Sequence, residues 1–236
     1  MSTGDETRCA PYRLLVFDWD GTLADSEQRI VAAARSAIDT LDLPVRSYEQ
    51  VRAIIGLALS EACQVLFPDL PKSQENRFVA CYREYYLCNT RTPVPLFPGA
   101  AATLRGLAAQ RYQLAVATGK GRRGLDRDMA SHGLEALFST TRCADDAPSK
   151  PHPQMLVDIM EEMDAAADQT LMIGDTAYDM EMARNAGVAY VGVSSGMHDP
   201  QRLLEFDPLA LLDSIAELPA WLSTRVRVVH QRDPHV

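Results

Sequence analysis

The sequence predicts an α/β fold, a doubly wound parallel sheet whose chain is interrupted by an inserted helical domain. The continuous apolar run at 14–17 is typical of a strand buried on both faces, as the strands of parallel sheets are. From Gly99 onward helical and strand patterns alternate, which indicates right-handed β-α-β units with helices on both faces of one sheet. Residues 25–95 show helical patterns only, so they separate the first strand of the sheet from the rest.

Composition and charge argue against several classes of protein. The chain has 236 residues, of which 47% are hydrophobic and 23% charged, as in ordinary globular proteins with a sizeable core. Its net charge of −9 argues against a nucleic-acid binder, because such proteins normally carry a basic patch or stripe. There is no apolar stretch of membrane-spanning length, and Met1–Pro11 lacks the apolar segment of a signal peptide. These features predict a cytoplasmic protein without a membrane or nucleic-acid partner, and they leave a monomer and a homodimer open.

The interrupting segment contains signals for four helices. Ser26 is placed to cap the first of them, and Ser47 with Gln50 forms a capping-box pattern at the start of the second. Gly56 is placed to end that second helix. The predicted helices of this segment cover 26–41, 47–56, 60–67 and 71–89.

The remainder of the chain reads as strands and helices in alternation. The expected strands are 113–118, 170–174, 189–193 and 209–212, and the expected helices are 100–110, 124–132, 153–163, 177–186, 200–206 and 215–222. Residues 225–236 show no clear pattern, and we expect a loose tail there. The predicted domains are therefore an α/β core of residues 1–24 and 96–236 and a helical domain of residues 25–95.

Two carboxylates follow the first predicted strand of the sheet. Asp18 and Asp20 are two positions apart, so in an extended chain they project to the same side, roughly 6–7 Å from each other. Gly21 then allows the backbone to turn away. Open α/β sheets place their ligands beyond the carboxyl ends of the strands, which is where this pair is expected. An acidic turn without further function explains the pair equally well when it is taken alone.

Three further stretches end a predicted strand or follow one. Thr118 and Gly119 offer a hydroxyl and an accessible N–H group to an anion, although an ordinary helix cap has the same pattern. Lys150, before a proline, is a loop lysine by default, but this chain has only three lysines against 20 arginines. Asp175 and Asp179 are spaced to point toward one place, while helix capping explains each of them singly.

Together these residues place four carboxylates and one ammonium group at a single sheet edge. Like charges so close cannot all stay ionised without compensation. Oxygen-rich sites of this kind suit Mg²⁺, which binds through a few carboxylates and keeps waters for the substrate. The pattern therefore predicts a metal-dependent centre for phosphoryl transfer with an aspartate nucleophile.

The same residues resemble the four motifs of the haloacid dehalogenase superfamily. The resemblance rests on Asp18-Trp-Asp20-Gly-Thr, Thr118, Lys150-Pro and Gly-Asp175-x-x-x-Asp179, in this order and spacing, from residue 14 to about 222. The helical insertion after the first motif resembles the C1 cap of this superfamily. Among its branches the chain looks most like the phosphoglycolate phosphatase-like group.

The resemblance implies roles for the four carboxylates. Asp18 is expected to attack phosphorus and form an aspartyl-phosphate. Asp20 is expected to protonate the leaving oxygen and then to activate water. The Mg²⁺ ligands would be Asp18, the backbone carbonyl of Asp20 and Asp175, with Asp179 supporting the metal or the motif lysine.

The resemblance also implies a phosphate-binding role for three residues. Thr118 and the Gly119 N–H group would hold the phosphoryl oxygens, and Lys150 would neutralise the nucleophile and the transferring group. The chain departs from the family pattern at two positions. Trp19 is bulkier than the usual aliphatic residue, and Gly119 stands where close relatives frequently have Asn. Neither change removes a catalytic atom.

The expected function is hydrolysis of a small phosphomonoester, with phosphoglycolate-like compounds, sugar phosphates, nucleotides and pyrophosphate all open as substrates. Arg52 and Lys120 could contact the substrate, although solvated polar turns explain both residues as well. Two alternatives remain, a phosphosugar mutase with the same chemistry and a non-catalytic protein that binds phosphorylated metabolites. Dehalogenation is not expected, because the dehalogenase branch lacks the second aspartate of the first motif and the metal.

Overall fold

The computed structural model describes residues 6–9, 11–88, 92–225 and 227–230. Its strands are β1 Glu6–Cys9, β2 Leu14–Phe17, β3 Gln113–Ala117, β4 Thr140–Arg142, β5 Thr170–Gly174, β6 Ala189–Val193, β7 Leu211–Leu212 and β8 Arg227–His230. Six of them form one sheet in the order β4-β3-β2-β5-β6-β7, and every neighbouring pair is parallel. The predicted parallel α/β sheet is therefore confirmed.

The structure adds two strand features that the sequence reading did not contain. The edge strand β4 has only three residues, Thr-Thr-Arg, which is too short and too polar to give an apolar run. In the segment predicted as a loose tail, β8 pairs antiparallel with β1 to make a separate two-stranded sheet. Residues 231–236 of that tail lie outside the described residues.

Ten α-helices are described. They are α1 Glu27–Thr40, α2 Tyr48–Arg52, α3 Leu59–Leu66, α4 Lys72–Cys88, α5 Ala100–Ala109, α6 Arg122–His132, α7 Gln154–Glu162, α8 Ala177–Asn185, α9 Pro200–Leu204 and α10 Leu218–Ser223. Asn89, the predicted end of α4, lies outside the described residues. Among the helices within the described ranges, none combines the length and the apolarity needed to span a bilayer.

The central strand β2 is buried on both of its faces. Leu15 and Phe17 pack with the apolar residues of α5, α6 and α10, whereas Leu14 and Val16 pack with those of α7 and α8. All four side chains have no exposed surface. Helices thus cover both faces of the sheet, which is why this strand reads as a continuous apolar run rather than an alternating one.

The helices α1 to α4 form a layer with an apolar core of its own, built around Ile38, Cys63 and Phe78. Ser47 and Gln50 make the predicted capping box, whereas the buried Ser26 hydroxyl makes no capping bond. The chain enters and leaves this layer side by side. Asp25 N donates to Pro95 O at 2.8 Å, and Phe97 N donates to Leu23 O at 2.9 Å. These paired connections agree with an inserted unit, and the boundaries 25 and 95 stay a prediction.

Candidate active site

The topology of the sheet brings the predicted motifs to one edge. Asp18 follows β2, Thr118 follows β3 and Asp175 follows β5, and these three strands are neighbours. After β2, the chain first adds β3 and β4 on one side of that strand and then β5, β6 and β7 on the other side. Such a reversal of direction opens a crevice at the carboxyl ends of the strands, where open α/β sheets bind their ligands.

A buried lysine joins the first and last motifs. Lys150 Nζ lies 2.8 Å from Asp18 Oδ1 and 2.6 Å from Asp179 Oδ1, and all three residues have no exposed surface. Trp19 N also donates to Asp18 Oδ1, at 2.7 Å. The second oxygen, Asp18 Oδ2, is buried and has no hydrogen-bond partner among the described residues. A buried anionic oxygen without a partner is costly, so this atom is positioned for a ligand or for chemistry.

Asp175 is held from two sides at the end of β5. Thr22 Oγ1 donates to Asp175 Oδ1 and Met197 N donates to Asp175 Oδ2, each at 2.7 Å. Glycines make room for this carboxylate, because a Cβ atom at Gly21 or Gly196 would lie 2.1 or 2.2 Å from Asp175 Oδ2. The sequence reading missed the contribution of the loop that holds Gly196 and Met197. A glycine shortly after β6, at the same sheet edge, was its only signal.

Asp179 serves two purposes at once. Its Oδ2 accepts hydrogen bonds from Thr176 N at 3.1 Å and from Thr176 Oγ1 at 2.7 Å, and with Thr176 it forms a capping box at the start of α8. Its Oδ1 receives the Lys150 bond described above. Asp179 therefore caps α8 and also pairs with Lys150, although helix capping alone would have explained its place in the sequence.

Burial makes it unfavourable for all the carboxylates of this cluster to be ionised. It raises the pKa of Asp18 to about 7, although the Lys150 ammonium acts in the opposite direction. Burial, and then the charges of Asp18 and Asp179, raise the pKa of Asp175 well above its usual value. One ammonium cannot neutralise three carboxylates. Oxygens of Asp18, Asp175 and Asp179 lie within 4.8 Å of one another, so a hard divalent cation fits the donor set.

The Asp20 carboxylate forms an ion pair with a different lysine, Lys120. Lys120 Nζ donates to both carboxylate oxygens of Asp20, at 2.8 and 3.1 Å. The carboxylate of Asp20 is not part of the three-carboxylate group, so only its backbone carbonyl remains as the expected metal ligand. The two aspartates of the first motif are thus held apart, each with its own ammonium group.

Two residues that the sequence reading missed complete the Lys120 site. Lys120 Nζ lies 3.1 Å from Asp128 Oδ2 and donates to the Tyr86 hydroxyl at 2.7 Å. The Tyr86 hydroxyl in turn donates to Asp128 Oδ2 at 3.0 Å. Tyr86 belongs to α4 and Asp128 to α6, so this network links the helical layer to the sheet edge. No sequence signal joins positions 42 residues apart in this way.

The second motif is covered directly by the helical layer. Thr118 is 1% exposed, and its Oγ1 accepts a hydrogen bond from Lys120 N at 3.2 Å. A Cβ atom at Gly119 would lie 2.4 Å from Gly56 O and 2.7 Å from Leu57 backbone atoms. Any larger residue at 119 would collide with this loop, which gives a physical reason for glycine at this position.

The structure does not bring Arg52 to the same place. Its Nε lies 3.0 Å from Glu27 Oε1, and its Nη2 donates to Gly196 O at 2.9 Å. Arg52 therefore ties α2 to the loop beside Asp175. It is absent from the residues that line the cavity beside Asp20 and Thr118.

Comparison with known proteins agrees with this architecture. The family model for haloacid dehalogenase-like hydrolases matches residues 15–193, which is most of the chain. The chain belongs to this family. A relative from Dickeya dadantii, named "Probable phosphatase IndB", is 36% identical over 211 residues, covering 87% of this chain and 91% of the relative. The phosphoglycolate phosphatase of Vibrio parahaemolyticus is 30% identical, covering 87% of this chain and 94% of its own.

Solved structures share the fold of this chain over nearly their full length. A hydrolase from Pseudomonas syringae superimposes with a TM-score of 0.82 at 25% identity, covering 89% of this chain and 97% of its own. A haloacid dehalogenase-like hydrolase from Streptococcus pneumoniae gives 0.79 at 25% identity, covering 90% and 99%. The predicted family is therefore confirmed, while the individual roles assigned to the motif residues stay predictions.

Proposed function

We propose that the protein is a Mg²⁺-dependent phosphatase that hydrolyses a small phosphomonoester through an aspartyl-phosphate. The observation that carries this proposal is the buried, unpartnered Asp18 Oδ2 beside the Lys150 ammonium. A second carboxylate, Asp20, stands two residues further on with its own cation. A nucleophile and a separate proton carrier are the two groups that a covalent phosphatase mechanism needs.

The metal proposal rests on the chemistry of the donor set. Asp18, Asp175 and the backbone carbonyl of Asp20 would hold Mg²⁺, and Asp179 would act on the site through Lys150. The raised pKa of Asp175 and the Asp18 oxygen without a partner among the described residues support the proposal of a further positive charge here. A bound Mg²⁺ would supply charge neutralisation for the phosphoryl group and the carboxylates.

The residues of the chain account for the remaining chemistry. The Asp18 carboxylate forms a bond to phosphorus as the ester P–O bond breaks, and the Asp20 carboxyl gives its proton to the departing alkoxide. Asp20 then takes a proton from water as the hydroxyl oxygen attacks phosphorus, which releases phosphate and restores Asp18. Lys150 neutralises the negative charge of the phosphoryl group, and Thr118 orients its oxygens. Each step balances without a further reactant.

The relatives support this activity and leave its substrate open. They carry the names phosphatase, phosphoglycolate phosphatase and, at 27% identity in Bacillus mycoides, pyrophosphatase. We propose a soluble phosphorylated metabolite as the substrate and the cytoplasm as the place of action.

Acetyl phosphate tests the activity with an activated and very small leaving group. Phosphate release should require Mg²⁺, stop with EDTA, and fall at least about a thousandfold in Asp18→Asn, because an amide is no nucleophile toward phosphorus. The exposed aspartate variant Asp39→Asn is the matched control and should keep wild-type rates. Loss of the nucleophile should leave less than about one per cent of the wild-type rate. A higher rate in Asp18→Asn would contradict the proposal.

Two further measurements separate the remaining alternatives. Acid quench during turnover should trap label on Asp18 if the aspartyl-phosphate forms. Release of inorganic phosphate without a bisphosphate primer distinguishes hydrolysis from a phosphosugar mutase reaction. Binding of phosphorylated compounds without any turnover would favour the non-catalytic alternative.

A further inference from the structure

A cavity of about 210 Å³ lies between the sheet edge and the helical layer. Asp20 and Thr118 form part of its floor, so it lies where the leaving group of a phosphorylated substrate would go. The helical layer contributes mainly aliphatic side chains to its wall, including Ile54, Ile55 and Leu59. The side of the cavity that would contact the leaving group is therefore apolar.

The cations around the cavity offer little to a second anionic group. Lys120 is already bound to Asp20, and the guanidinium of Arg83 lies 3.0 Å from Asp145 Oδ1 across the rim. Arg123, the third basic residue of the described lining, is exposed to solvent, which screens its charge. A carboxylate or a second phosphate in this cavity would lose its hydration without gaining a free buried cation, which is unfavourable.

The cavity wall also contains a pair of aromatic rings. Tyr82 and Tyr86 of α4 are stacked, with ring centroids 5.9 Å apart and an interplanar angle of 12°. The Tyr86 hydroxyl is occupied by Asp128 and Lys120, whereas that of Tyr82 makes no hydrogen bond with the described residues. Burial raises the pKa of Tyr82 well above its usual value, so the group remains a neutral donor. The wall thus presents a flat apolar surface with one free polar group.

We infer that the substrate is the phosphate ester of an uncharged alcohol with a flat ring, rather than a compound with a second anionic group. The cavity volume sets its size, since a cavity of about 150 Å³ is known to hold benzene and this one is somewhat larger. A single ring with a short arm to the phosphate fits. This inference rests on the proposed function and adds the chemical class of the leaving group.

The first test compares alcohols of similar leaving-group acidity. We expect kcat/KM for benzyl phosphate to exceed that for methyl phosphate and for phosphoglycolate about thirtyfold or more, as full burial of a phenyl-sized group provides. Within the methyl, ethyl and propyl series, kcat/KM should rise about fourfold per methylene. Pyrophosphate, with its second anionic group, should be hydrolysed no faster than methyl phosphate.

Two lysine substitutions on α3 show whether this cavity causes the preference. Leu59→Lys places a cation in the apolar wall and should lower the ratio of kcat/KM for benzyl phosphate over phosphoglycolate at least about thirtyfold. Val65 lies on the same helix with 57% of its surface exposed, so Val65→Lys should leave this ratio unchanged. Calorimetry of wild-type protein with benzylphosphonate and phosphonoacetate adds a test without a variant and without turnover, and benzylphosphonate should bind more tightly.

The outcomes separate the two proposals. If acetyl phosphate is hydrolysed and phosphoglycolate or pyrophosphate is preferred to benzyl phosphate, the inference is overturned and the phosphatase proposal stands. Tighter binding of phosphonoacetate than of benzylphosphonate overturns the inference in the same way. If no phosphate ester is hydrolysed while benzylphosphonate still binds more tightly, the phosphatase proposal fails and the assignment of the cavity is retained.

Discussion

At the scale of single residues, the site is organised by its lysines. Two of the three lysines in the chain, Lys120 and Lys150, are buried at the sheet edge, whereas 66% of the Lys72 side chain is exposed. Lys120 meets Asp20 and Lys150 meets Asp18, so two carboxylates that are neighbours in sequence have separate electrostatic environments. Such separation lets one act as the nucleophile and the other as the proton carrier.

Replacement of Lys150 by Met should destabilise the metal-free protein. The change leaves buried carboxylates without their cation, and breaking a buried ion pair in this way costs about 3–5 kcal/mol of the free energy of unfolding. Urea denaturation in EDTA measures the loss. Arg105→Met, at an exposed position of α5, is the control and should cost at most about 1 kcal/mol. Equal losses in the two variants would show that Lys150 is solvated.

Mg²⁺ should raise the melting temperature of the wild-type protein. Binding to the native state alone, at about a hundred times the dissociation constant, adds about 2.7 kcal/mol. For a chain of this size that corresponds to roughly 5–10 °C. Asp175→Asn removes one proposed ligand and should abolish most of this shift, while the exposed Asp213→Asn should keep it. Differential scanning calorimetry measures these shifts. Identical shifts in both variants would show that the metal binds elsewhere.

At the scale of elements, the contact between the helical layer and the strand ends determines how the site is covered. The loop at Gly56–Leu57 lies directly on Gly119, and Ala58 N donates to Ser149 Oγ at 2.8 Å beside the motif lysine. The helical layer therefore touches the second and third motifs through its backbone. A covered site excludes water, which strengthens the charge interactions within it.

Gly119→Ala should push this loop away from the sheet edge. A Cβ atom at 119 would clash with backbone rather than with a flexible side chain, so the strain should cost about 1–3 kcal/mol. We expect a lower melting temperature and a lower kcat/KM for acetyl phosphate. At Gly106 in α5 a Cβ atom would meet nothing within 4 Å, so Gly106→Ala should instead raise stability by up to about 1 kcal/mol. Similar effects of the two substitutions would show that the loop does not press on Gly119.

The helices α3 and α4 are joined by Glu75, whose stabilising effect should depend on pH. Its side chain is 4% exposed and accepts hydrogen bonds from Lys72, Ser60 and Gln64. These bonds, that of Lys72 first, lower the pKa of Glu75 to about 2 from 4.5 in an unfolded chain. The stabilisation is therefore complete above pH 4.5 and is lost as the pH falls toward 2.

Glu75→Gln should thus lower the free energy of unfolding at pH 7 by about 1–3 kcal/mol, since charge-assisted hydrogen bonds are lost. The difference from wild type should shrink as the pH is lowered below 4.5, which urea denaturation between pH 3 and 7 can follow. Glu84→Gln, at an exposed position of the same helix, is the control. A difference that stays constant over this pH range would exclude an ionised Glu75 as its source.

At the scale of the whole molecule, the helical layer covers the sheet edge and buries most of the proposed reacting groups. Asp18, Lys150 and Asp175 have no exposed surface, and Thr118 has 1%. We expect the layer to move away when a substrate enters and to return before turnover. The adjacent entry and exit of this layer at Asp25 and Pro95 suit such a movement.

Enclosure of this kind should exclude macromolecular substrates. A phosphotyrosine peptide has the same aryl phosphate group as phenyl phosphate, but its chain would hold the layer open. We expect kcat/KM for the peptide to be at least about a hundredfold lower, as misplacement of catalytic groups by an ångström already costs that much. Equal values for the two compounds would show that the layer does not need to close.

The sequence by itself determined five of the six strands of the parallel sheet, the helices along the chain and the four motif positions. These features are local, because a fully buried strand shows as an apolar run and a motif residue follows its strand directly, as Asp18 follows β2. The sequence left a solvated loop as the default for Lys150, and only the structure placed it between Asp18 and Asp179.

Only the tertiary structure decided what covers that edge. Tyr86, Lys120 and Asp128 come from separate elements, and the apolar cavity has walls from both the helical layer and the sheet. Such contacts depend on how α4 packs over the strand ends, which no local pattern records. The three polar residues of β4 form a strand because β3 supplies their hydrogen-bond partners. Their own sequence does not indicate a strand. The positions of the motif residues therefore follow from residue type and spacing, whereas the cavity beside them follows from packing between distant segments.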